Sequence, residues 1–240
     1  WATSQDAKLR NPRMLVSTRL KKILCCSLAS VLLACALLWL ADRVWPLPLP
    51  KDDLARVVLA EDGTPLWRFA DANGVWRYPV STDQVSAYYL DALLTYEDRW
   101  FFRHPGVNPL ALGRAAWQNL TGGRVLSGGS TLSMQVARLL DPHERTLTGK
   151  VRQLWRTAQL EWHLSKDQIL NLYLNRAPFG GTLQCVAAAS WAYLGKSPQH
   201  LTHSEAALLA VLPQAPSRLR PDRHPARAQV ARDKVLRRVA

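Results

Sequence analysis

The sequence predicts a mainly α-helical domain that follows one N-terminal membrane-spanning helix, with a small β element between the two. Three observations support this prediction. An uncharged apolar run extends from Ile23 to Ala41, two short apolar stretches flank Asp62-Gly63, and helix-capping signals recur beyond Gln84. The hydrophobic fraction of 48% and the ten tryptophans in 240 residues are ample for a compact core. The composition therefore excludes a disordered chain.

The apolar run has the length and flanks of a single-pass membrane anchor. At about 1.5 Å per residue it spans the roughly 30 Å hydrocarbon layer. Arg19, Lys21 and Lys22 precede the run, and positive flanks of this kind stay in the cytoplasm. A cleaved signal peptide would need a shorter apolar core that ends in small residues, whereas Ala34-Cys35-Ala36 lies in the middle of the run. We therefore expect an uncleaved anchor.

The domain boundaries follow from these features. Residues 1–22 are the predicted cytoplasmic tail, 23–41 the anchor, 42–83 a linker with the β element, and 84–240 the helical domain. Met14 is a candidate natural start, which would leave residues 1–13 outside the native chain. In the linker, VWPLPLPKDD should be extended, RVVLAEDGTPLWRF predicts a hairpin and VWRYPV a third short strand.

Capping signals mark three helices of the predicted helical domain. Asn108 and Pro109 predict a helix that runs through Trp117 and ends near Gly122-Gly123. SKDQ, from Ser165, and THSE, from Thr202, are capping boxes, and the helix after the second should end at the proline of AVLPQ.

The cysteines and histidines predict neither a disulfide nor a zinc site. Cys25, Cys26 and Cys35 lie in the apolar run, which leaves Cys185 alone in the rest of the chain. We expect Cys185 to be a small buried side chain. The six histidines lack the paired spacing of metal ligands.

The formal net charge of +13 points to an anionic partner. Nucleic acid, an acidic membrane surface and a phosphorylated substrate all fit this charge. The cytoplasmic flank and the tail RLRPDRHPARAQVARDKVLRR account for much of the excess, and the tail could lie on anionic lipid headgroups. We therefore expect membrane lipids as partners and no nucleic acid.

Two further segments carry chemical promise. In LSGGSTLSMQVARLL, Gly128-Gly129 and Ser130-Thr131 begin a helix whose free amides could bind an anion, with Arg138 about two turns in. A glycine turn with a serine cap is the simpler interpretation. In TLTGKVRQLWRTAQLEWHLS, Lys150 and Gln153 share a helix face. The basic side chains of this predicted helix are Lys150, Arg152 and Arg156. They form either a solvent-exposed helix face or a clamp for a polyphosphate.

Four ordered motifs resemble those of one enzyme family. EDRWFFRHPGVN resembles the first signature of the family 51 peptidoglycan glycosyltransferases, Glu-Asp-x-x-Phe-x-x-His-x-Gly. GGSTLSMQ is similar to the second, Gly-Gly-Ser-Thr-Ile-Thr-Gln-Gln, and is followed by Arg138. ILNLYLN and SEAALLAVLPQAPSRLRP resemble the fourth and fifth. The resemblance covers the chain after Asp52.

The resemblance implies a lysozyme-like fold with a large lobe and a smaller membrane-facing jaw. It also implies a reaction in which lipid II is joined to a growing glycan chain by inversion, with a β-1,4 bond formed and undecaprenyl pyrophosphate released. Glu97 would be the general base, with Asp98 beside it raising its proton affinity. The implied substrate-binding residues are Asp98, Ser130, Thr131, Gln135, Arg138, Lys150, Arg152 and Gln153.

The family also implies a location and a setting. The anchor would lie in a bacterial inner membrane with the catalytic domain in the periplasm, where other cell-wall synthesis proteins are candidate partners. Trp100, Phe101 and Phe102 would form either a dry wall beside Glu97 or the lipid contact of the jaw. His104-Pro105-Gly106 is expected to be a turn that fixes the loop rather than a second base.

The third signature, Arg-Lys-x-x-Glu, departs from the family pattern. Here Gly149 replaces the arginine and Gln153 replaces the glutamate, while Lys150 is kept. The family glutamate helps to handle the donor pyrophosphate, and Mg²⁺ or Mn²⁺ is a candidate intermediary. A neutral amide is a poor ligand for such hard cations, so Gln153 argues against a metal requirement. Arg138, Lys150 and Arg152 could hold the pyrophosphate instead.

Two alternatives from other functional classes stay open at this point. A membrane-anchored, lysozyme-like glycan-cleaving enzyme would use one glutamate as an acid and would need no pyrophosphate clamp. A non-catalytic scaffold for wall synthesis is favoured only by Gln153. The chain contains no Ser-x-x-Lys nucleophile of a transpeptidase domain, which fits a monofunctional enzyme, a truncated product or a fragment.

Overall fold

The computed structural model describes residues 12–50, 56–61, 65–108, 113, 117, 121, 130–144 and 146–239. The chain divides into two compact units, Trp1–Leu47 and Pro48–Ala240. The predicted separation of residues 42–83 from 84–240 stays a prediction.

The described part of the first unit forms one long helix, α1, from Pro12 to Val44. Its segment Leu24–Val44 has a mean hydropathy of 2.4 and is long and apolar enough to cross a membrane. The apolar side chains described along this segment are exposed, as in Leu28, Leu33 and Trp39. The predicted anchor at 23–41 therefore lies almost entirely within one candidate membrane-spanning helix.

The second unit begins with the predicted hairpin. Strand β1 (Val57–Leu59) pairs antiparallel with β2 (Pro65–Arg68), and the turn at Asp62-Gly63 lies outside the described residues. The third strand predicted at VWRYPV is wrong. Trp76 forms only an isolated bridge with Leu183. Its amide donates to the Thr182 carbonyl and its carbonyl accepts from the Gln184 amide, so the backbone here pairs with a distant part of the chain.

Helices make up most of the remainder, which confirms the mainly α fold class. They are α2 (Ala87–Glu97), α3 (Leu132–Leu140), α4 (Leu147–His163), α5 (Lys166–Arg176), α6 (Val186–Leu194), α7 (His203–Val211), α8 (Pro216–Leu219) and α9 (Pro225–Val239). Two short strands not predicted from the sequence, β3 (Pro178–Gly180) and β4 (Leu183–Gln184), form a second antiparallel pair between α5 and α6.

The core is organised around α7 and α3. Helix α7 packs against both α2 and α9, while α3 packs against α4 and α5. Tyr89 of α2, Tyr173 of α5 and Leu209 of α7 are fully buried. Because α2 ends at Glu97, this packing fixes the position of the predicted base.

The local signals for helix ends agree with the structure. Both predicted capping boxes are present, at Ser165 before α5 and at Thr202 before α7. Helix α7 ends at Val211, and Pro213 lies in the 3₁₀ turn that follows. Asn108, the predicted N-cap, is described and is not helical, whereas Gly113, Trp117 and Thr121 are helical; residues 109–112, 114–116 and 118–120 lie outside the described residues.

Cys185 is buried as expected, yet its backbone is unusual. It has φ 73° and ψ 148°, a region that side-chain-bearing residues rarely occupy. Its Sγ accepts a hydrogen bond from the Ala188 amide at the start of α6 and donates to the Tyr78 carbonyl. The thiol is therefore an N-cap that offsets part of a strained backbone.

We expect Cys185→Gly to be more stable than Cys185→Ala by about 1–3 kcal/mol, although alanine is ordinarily the better residue. Both variants lose the thiol cap, but only glycine relieves the backbone strain. Urea unfolding of the two purified variants measures the difference. Equal midpoints, or a more stable alanine variant, would contradict the strain.

Candidate active site

Glu97 lies at the C-terminal end of α2, and amide donors reach both of its carboxylate oxygens. Gln135 Nε2 donates to Oε2 at 2.6 Å, and Gln214 Nε2 donates to Oε1 at 2.8 Å. Gln135 comes from α3, and Gln214 comes from the 3₁₀ turn Leu212–Gln214 after α7. Three separate elements therefore converge on one half-buried carboxylate.

The surroundings of Glu97 raise its pKa above the ordinary value. Burial is the largest cause, and the amide hydrogen bonds oppose it. The Asp98 charge raises the pKa further, and the more distant Arg238 charge lowers it. A carboxylate with raised proton affinity, whose two direct partners are neutral amides, is better suited to accept a proton than an ordinary exposed glutamate.

Asp98 is buried and its carboxylate is already occupied. It accepts from His104 Nε2 at 2.9 Å and from the Leu132 amide at 3.0 Å. This pair ties the loop after α2 to the start of α3. The predicted electrostatic push of Asp98 on Glu97 agrees with the structure, whereas the contacts favour a structural role over substrate contact. His104 thus fixes the loop through its side chain as well as through the turn.

The His-Pro-Gly turn requires its glycine. Gly106 has φ 76°, and an added Cβ would come within 2.6 Å of Glu161 Cγ and 2.8 Å of Thr157 Cγ2. The Gly106 carbonyl accepts the Thr131 hydroxyl, which also caps α3 by accepting from Met134 N at 3.3 Å. Thr131 is buried and engaged, so Ser130, which is exposed, is the better placed of the predicted pair to contact a ligand.

The three aromatic residues after Asp98 divide between the two roles considered for them. Phe101 is fully buried, with the Lys166 ammonium 4.6 Å from its ring centroid. Trp100 and Phe102 are 48% and 54% exposed. Phe101 therefore belongs to the core, and the other two are free to contact an apolar ligand or lipid.

The face of α4 that carries Lys150 and Gln153 packs against α3. Lys150 and Gln153 share a face of α4, as their spacing predicted. Lys150 Nζ donates to Gln153 Oε1 at 3.1 Å, and Gln153 Nε2 donates to the Met134 carbonyl at 2.6 Å. Burial, and then the Arg138 charge, lower the pKa of Lys150. Helix α3 therefore links Glu97 to the cations Arg138 and Lys150. Its Gln135 donates to Glu97, and its Arg138 charge acts on Lys150.

Arg152 lies on a different part of α4 and is paired. Its guanidinium bonds the Asp141 carboxylate at 2.6 and 2.8 Å, and Arg156 bonds the same carboxylate at 2.8 Å. These two guanidinium groups lower the pKa of Asp141. Lys150 is therefore linked to α3 through Gln153, and Arg138 is itself a residue of α3, whereas Arg152 is paired with Asp141.

The side chains at Gln153 do not fit a divalent metal. The buried amide uses its oxygen to accept from Lys150 and its nitrogen to donate to Met134, so a cation already faces the only suitable donor atom. Glu161, the nearest acidic residue later in α4, is bonded by Ser133 and Lys166. Among the residues that the structure describes, no group of three or more His, Cys, Asp or Glu side chains could hold a metal ion.

Gln214 was not among the residues predicted for the site. The only sequence signal for it was its position in LPQAP, inside the stretch that resembles the fifth family signature. Periodicity could not identify it, because its contact with Glu97 spans 117 residues of the chain.

Comparison of the sequence with family models identifies the family of the chain. The family model described as Transglycosylase matches residues 62–240. The chain therefore belongs to the transglycosylase family, as its motifs predicted. Membership of this family supports the lysozyme-like glycosyltransferase fold that the motifs implied.

Among curated proteins, the similar ones include penicillin-binding proteins of two types. Penicillin-binding protein 1C of Escherichia coli (strain K12) is 72% identical over 202 residues, which cover 84% of this chain and 26% of that protein. Penicillin-binding protein 1A of Aquifex aeolicus (strain VF5) is 40% identical over 164 residues, 68% of this chain and 23% of the relative. The chain thus spans about a quarter of the length of these curated relatives.

Among solved structures, penicillin-binding protein 1A from Haemophilus influenzae matches with a TM-score of 0.42 and 24% identity. The match covers 80% of this chain and 19% of that one.

Proposed function

We propose that this chain is a peptidoglycan glycosyltransferase that polymerises lipid II into β-1,4-linked glycan strands and releases undecaprenyl pyrophosphate. The observation that carries the proposal is the Glu97 carboxylate, half-buried, raised in pKa and bonded by two neutral amides. Family membership supports the reaction class, and the similar proteins named above are penicillin-binding proteins.

In the proposed step, Glu97 takes the proton from the 4-hydroxyl of the acceptor sugar. The hydroxyl oxygen then attacks the anomeric carbon of the donor from the face opposite the pyrophosphate. The new bond to the carbon forms as the bond to the pyrophosphate oxygen breaks, and the leaving group keeps the electron pair. A positioned carboxylate base of this kind contributes about 10²- to 10⁴-fold to the rate.

Lys150 and Arg138 would stabilise the charge that develops on the pyrophosphate. Both are connected to α3, Lys150 through Gln153 and Met134, and Arg138 as a residue of that helix. Fixed cations in a partly buried site stabilise a leaving group more strongly than they would in water. No step in this scheme needs a divalent metal.

Conversion of labelled lipid II by the purified chain in detergent tests the proposed function. We expect glycan polymer from the wild type. Cleavage of preformed peptidoglycan without polymer would favour the lysozyme-like alternative. Neither polymer nor cleavage, with lipid II still bound, would favour the scaffold.

The same proposal places the chain at a membrane. We propose a single pass through the bacterial inner membrane by α1, with the N-terminus in the cytoplasm and the catalytic unit in the periplasm. Membrane lipids would contact the basic face of α9, where exposed cations surround an apolar groove of about 770 Å³; these are Arg218 of α8 with Arg227, Lys234 and Arg237. Other cell-wall synthesis proteins are proposed partners.

The substitution at position 153 yields a prediction about metal dependence. We expect wild-type turnover to be the same in EDTA as in Mg²⁺ or Mn²⁺. In Gln153→Glu, the new carboxylate would neutralise Lys150 and weaken the clamp, so turnover in EDTA should fall by about tenfold or more, equivalent to at least 1.4 kcal/mol. Calorimetric binding of inorganic pyrophosphate, with and without metal, gives a readout independent of turnover.

Two outcomes would contradict this assignment of Gln153. One is a wild type that loses pyrophosphate binding in EDTA. The other is a folded Gln153→Glu variant that binds metal-free pyrophosphate as tightly as the wild type.

A further inference from the structure

The Gln214 side chain lies between Glu97 and Tyr96. Its amide nitrogen donates to Glu97 Oε1 at 2.8 Å, and its amide oxygen accepts from the Tyr96 hydroxyl at 3.3 Å. The amide has one donating end and one accepting end, so both ends are used. Neither Gln214 nor Tyr96 was expected to belong to the site.

We propose that Gln214 is a positioning residue for Glu97, and that Tyr96 fixes the direction in which the Gln214 amide points. The inference deepens the proposed function, since it concerns the residue assigned as the base. It names two side chains that would hold the carboxylate without touching the substrate.

The direction of the amide follows from the inventory of donors and acceptors. A carboxylate only accepts, so it requires the nitrogen end of Gln214. The Tyr96 hydroxyl donates to the oxygen end, which makes the opposite orientation unfavourable because it would place the amide oxygen against Glu97. The tyrosine therefore selects the orientation that serves the carboxylate.

Tyr96 is itself held by α9. The Arg238 guanidinium carbon lies 5.1 Å from the Tyr96 ring centroid, and Lys234 Nζ lies 5.9 Å from it. Arg238 also donates to the Tyr96 carbonyl at 3.3 Å. Since α9 packs against α2, the phenol is fixed from outside the site.

The chemical type of the two donors matters as much as their position. Gln135 and Gln214 stabilise the carboxylate as neutral groups, so they keep it ionised without removing the proton affinity that a base needs. A cation at either place would lower that affinity further. The other charged or titratable groups acting with Glu97 are Asp98 beside it, Arg238 from α9, Tyr89 from α2 and Tyr173 from α5.

A purely structural role is the competing explanation. The same hydrogen bonds tie the turn after α7 to the end of α2, and their loss could simply loosen this contact. The two explanations differ in one respect. If Gln214 is only a structural tether, the pKa of Glu97 should not depend on the kind of donor at position 214. If Gln214 is a positioning residue, the pKa should follow that donor.

The experiment measures the Glu97 carboxyl directly by ¹³C NMR in the full chain held in a lipid nanodisc. The sequence has only five glutamates, so selective labelling is tractable, and loss of one signal in Glu97→Gln assigns it. The variants are Gln214→Met, Gln214→Lys and Tyr96→Phe. Gln229→Met, an exposed glutamine of α9, is the matched control.

We expect the pKa of Glu97 to rise in Gln214→Met, to rise less in Tyr96→Phe and to fall in Gln214→Lys. Gln229→Met should leave it unchanged. The acidic limb of the pH profile of kcat for lipid II polymerisation should move in the same order. Because Gln214 is exposed, its two substitutions are expected to leave the chain folded, and Tyr96→Phe removes only the hydroxyl of a buried ring.

The outcomes separate this inference from the proposed function. An unchanged Glu97 signal in folded Gln214→Met and Gln214→Lys would overturn the positioning role, even if the wild type polymerises lipid II. If the variants show the expected order of Glu97 pKa values but the wild type makes no polymer, the positioning role is supported and the proposed function is contradicted.

Discussion

Replacing Glu97 with glutamine is expected to reduce lipid II polymerisation by about 10²- to 10⁴-fold, because the amide cannot accept the acceptor's proton. The change keeps the side-chain volume, and the new amide oxygen can still accept from one of the two glutamines, Gln135 or Gln214. The loss should therefore appear in kcat, with substrate binding little changed. Quantified polymer from labelled lipid II measures it.

The same variant carries a stability prediction with a definite sign. Since the pKa of Glu97 is raised in the folded chain, its stabilising contribution is fully present below the unfolded pKa of about 4.3. That contribution is lost as pH rises through the folded pKa. Glutamine does not titrate, so the Tm of Glu97→Gln relative to the wild type should increase from acid to neutral pH.

Glu205→Gln is the matched control for both measurements. Burial raises the pKa of Glu205, but Lys196 and the hydrogen bonds from Thr202 together lower it below its ordinary value. Its relative Tm should therefore shift in the opposite direction, and polymerisation should be unaffected. If Glu97→Gln makes as much polymer as the wild type, Glu97 is not the general base.

Replacing Lys150 with methionine is expected to reduce turnover by about 10²- to 10³-fold, the usual effect of removing one group that stabilises developing negative charge. Methionine keeps an apolar stem of similar length and removes only the ammonium. The loss should be accompanied by weaker inhibition by inorganic pyrophosphate, because the same cation would hold the product. Steady-state polymerisation with added pyrophosphate measures both effects.

Arg152→Met provides the comparison on the same helix. The Arg152 guanidinium is bonded to Asp141, so its removal should reduce turnover by less than about tenfold, or 1.4 kcal/mol. Equal losses in the two variants would mean that the ion pair with Asp141 opens for the substrate. A larger loss in Arg152→Met would reverse the assignment of the clamp.

Much of the fold could be predicted because its signals are local. Both capping boxes follow from side chains and amides three residues apart, and the apolar run of α1 follows from composition alone. The strand predicted at Trp76 failed for the opposite reason. Its backbone pairs instead around Leu183, which lies far away in the sequence.

The candidate site divides in the same way. The motifs identified Glu97 as the candidate base, and the helical spacing of Lys150 and Gln153 correctly placed them on one face, where the structure shows a hydrogen bond between them. Spacing alone could not distinguish Lys150 from Arg152, because both are basic residues on one helix. Only the position of Asp141 shows which cation is already paired.

The sequence by itself determined the helical class, the apolar segment long enough to span a membrane, the family and the candidate for the base. Only the tertiary structure decided that Asp98 is occupied by His104 and Leu132, and that Gln135 and Gln214 share the oxygens of Glu97. The physical reason is that caps and periodicity act between near neighbours in the chain. The proton affinity of a carboxylate depends instead on every donor and charge that folding brings to it.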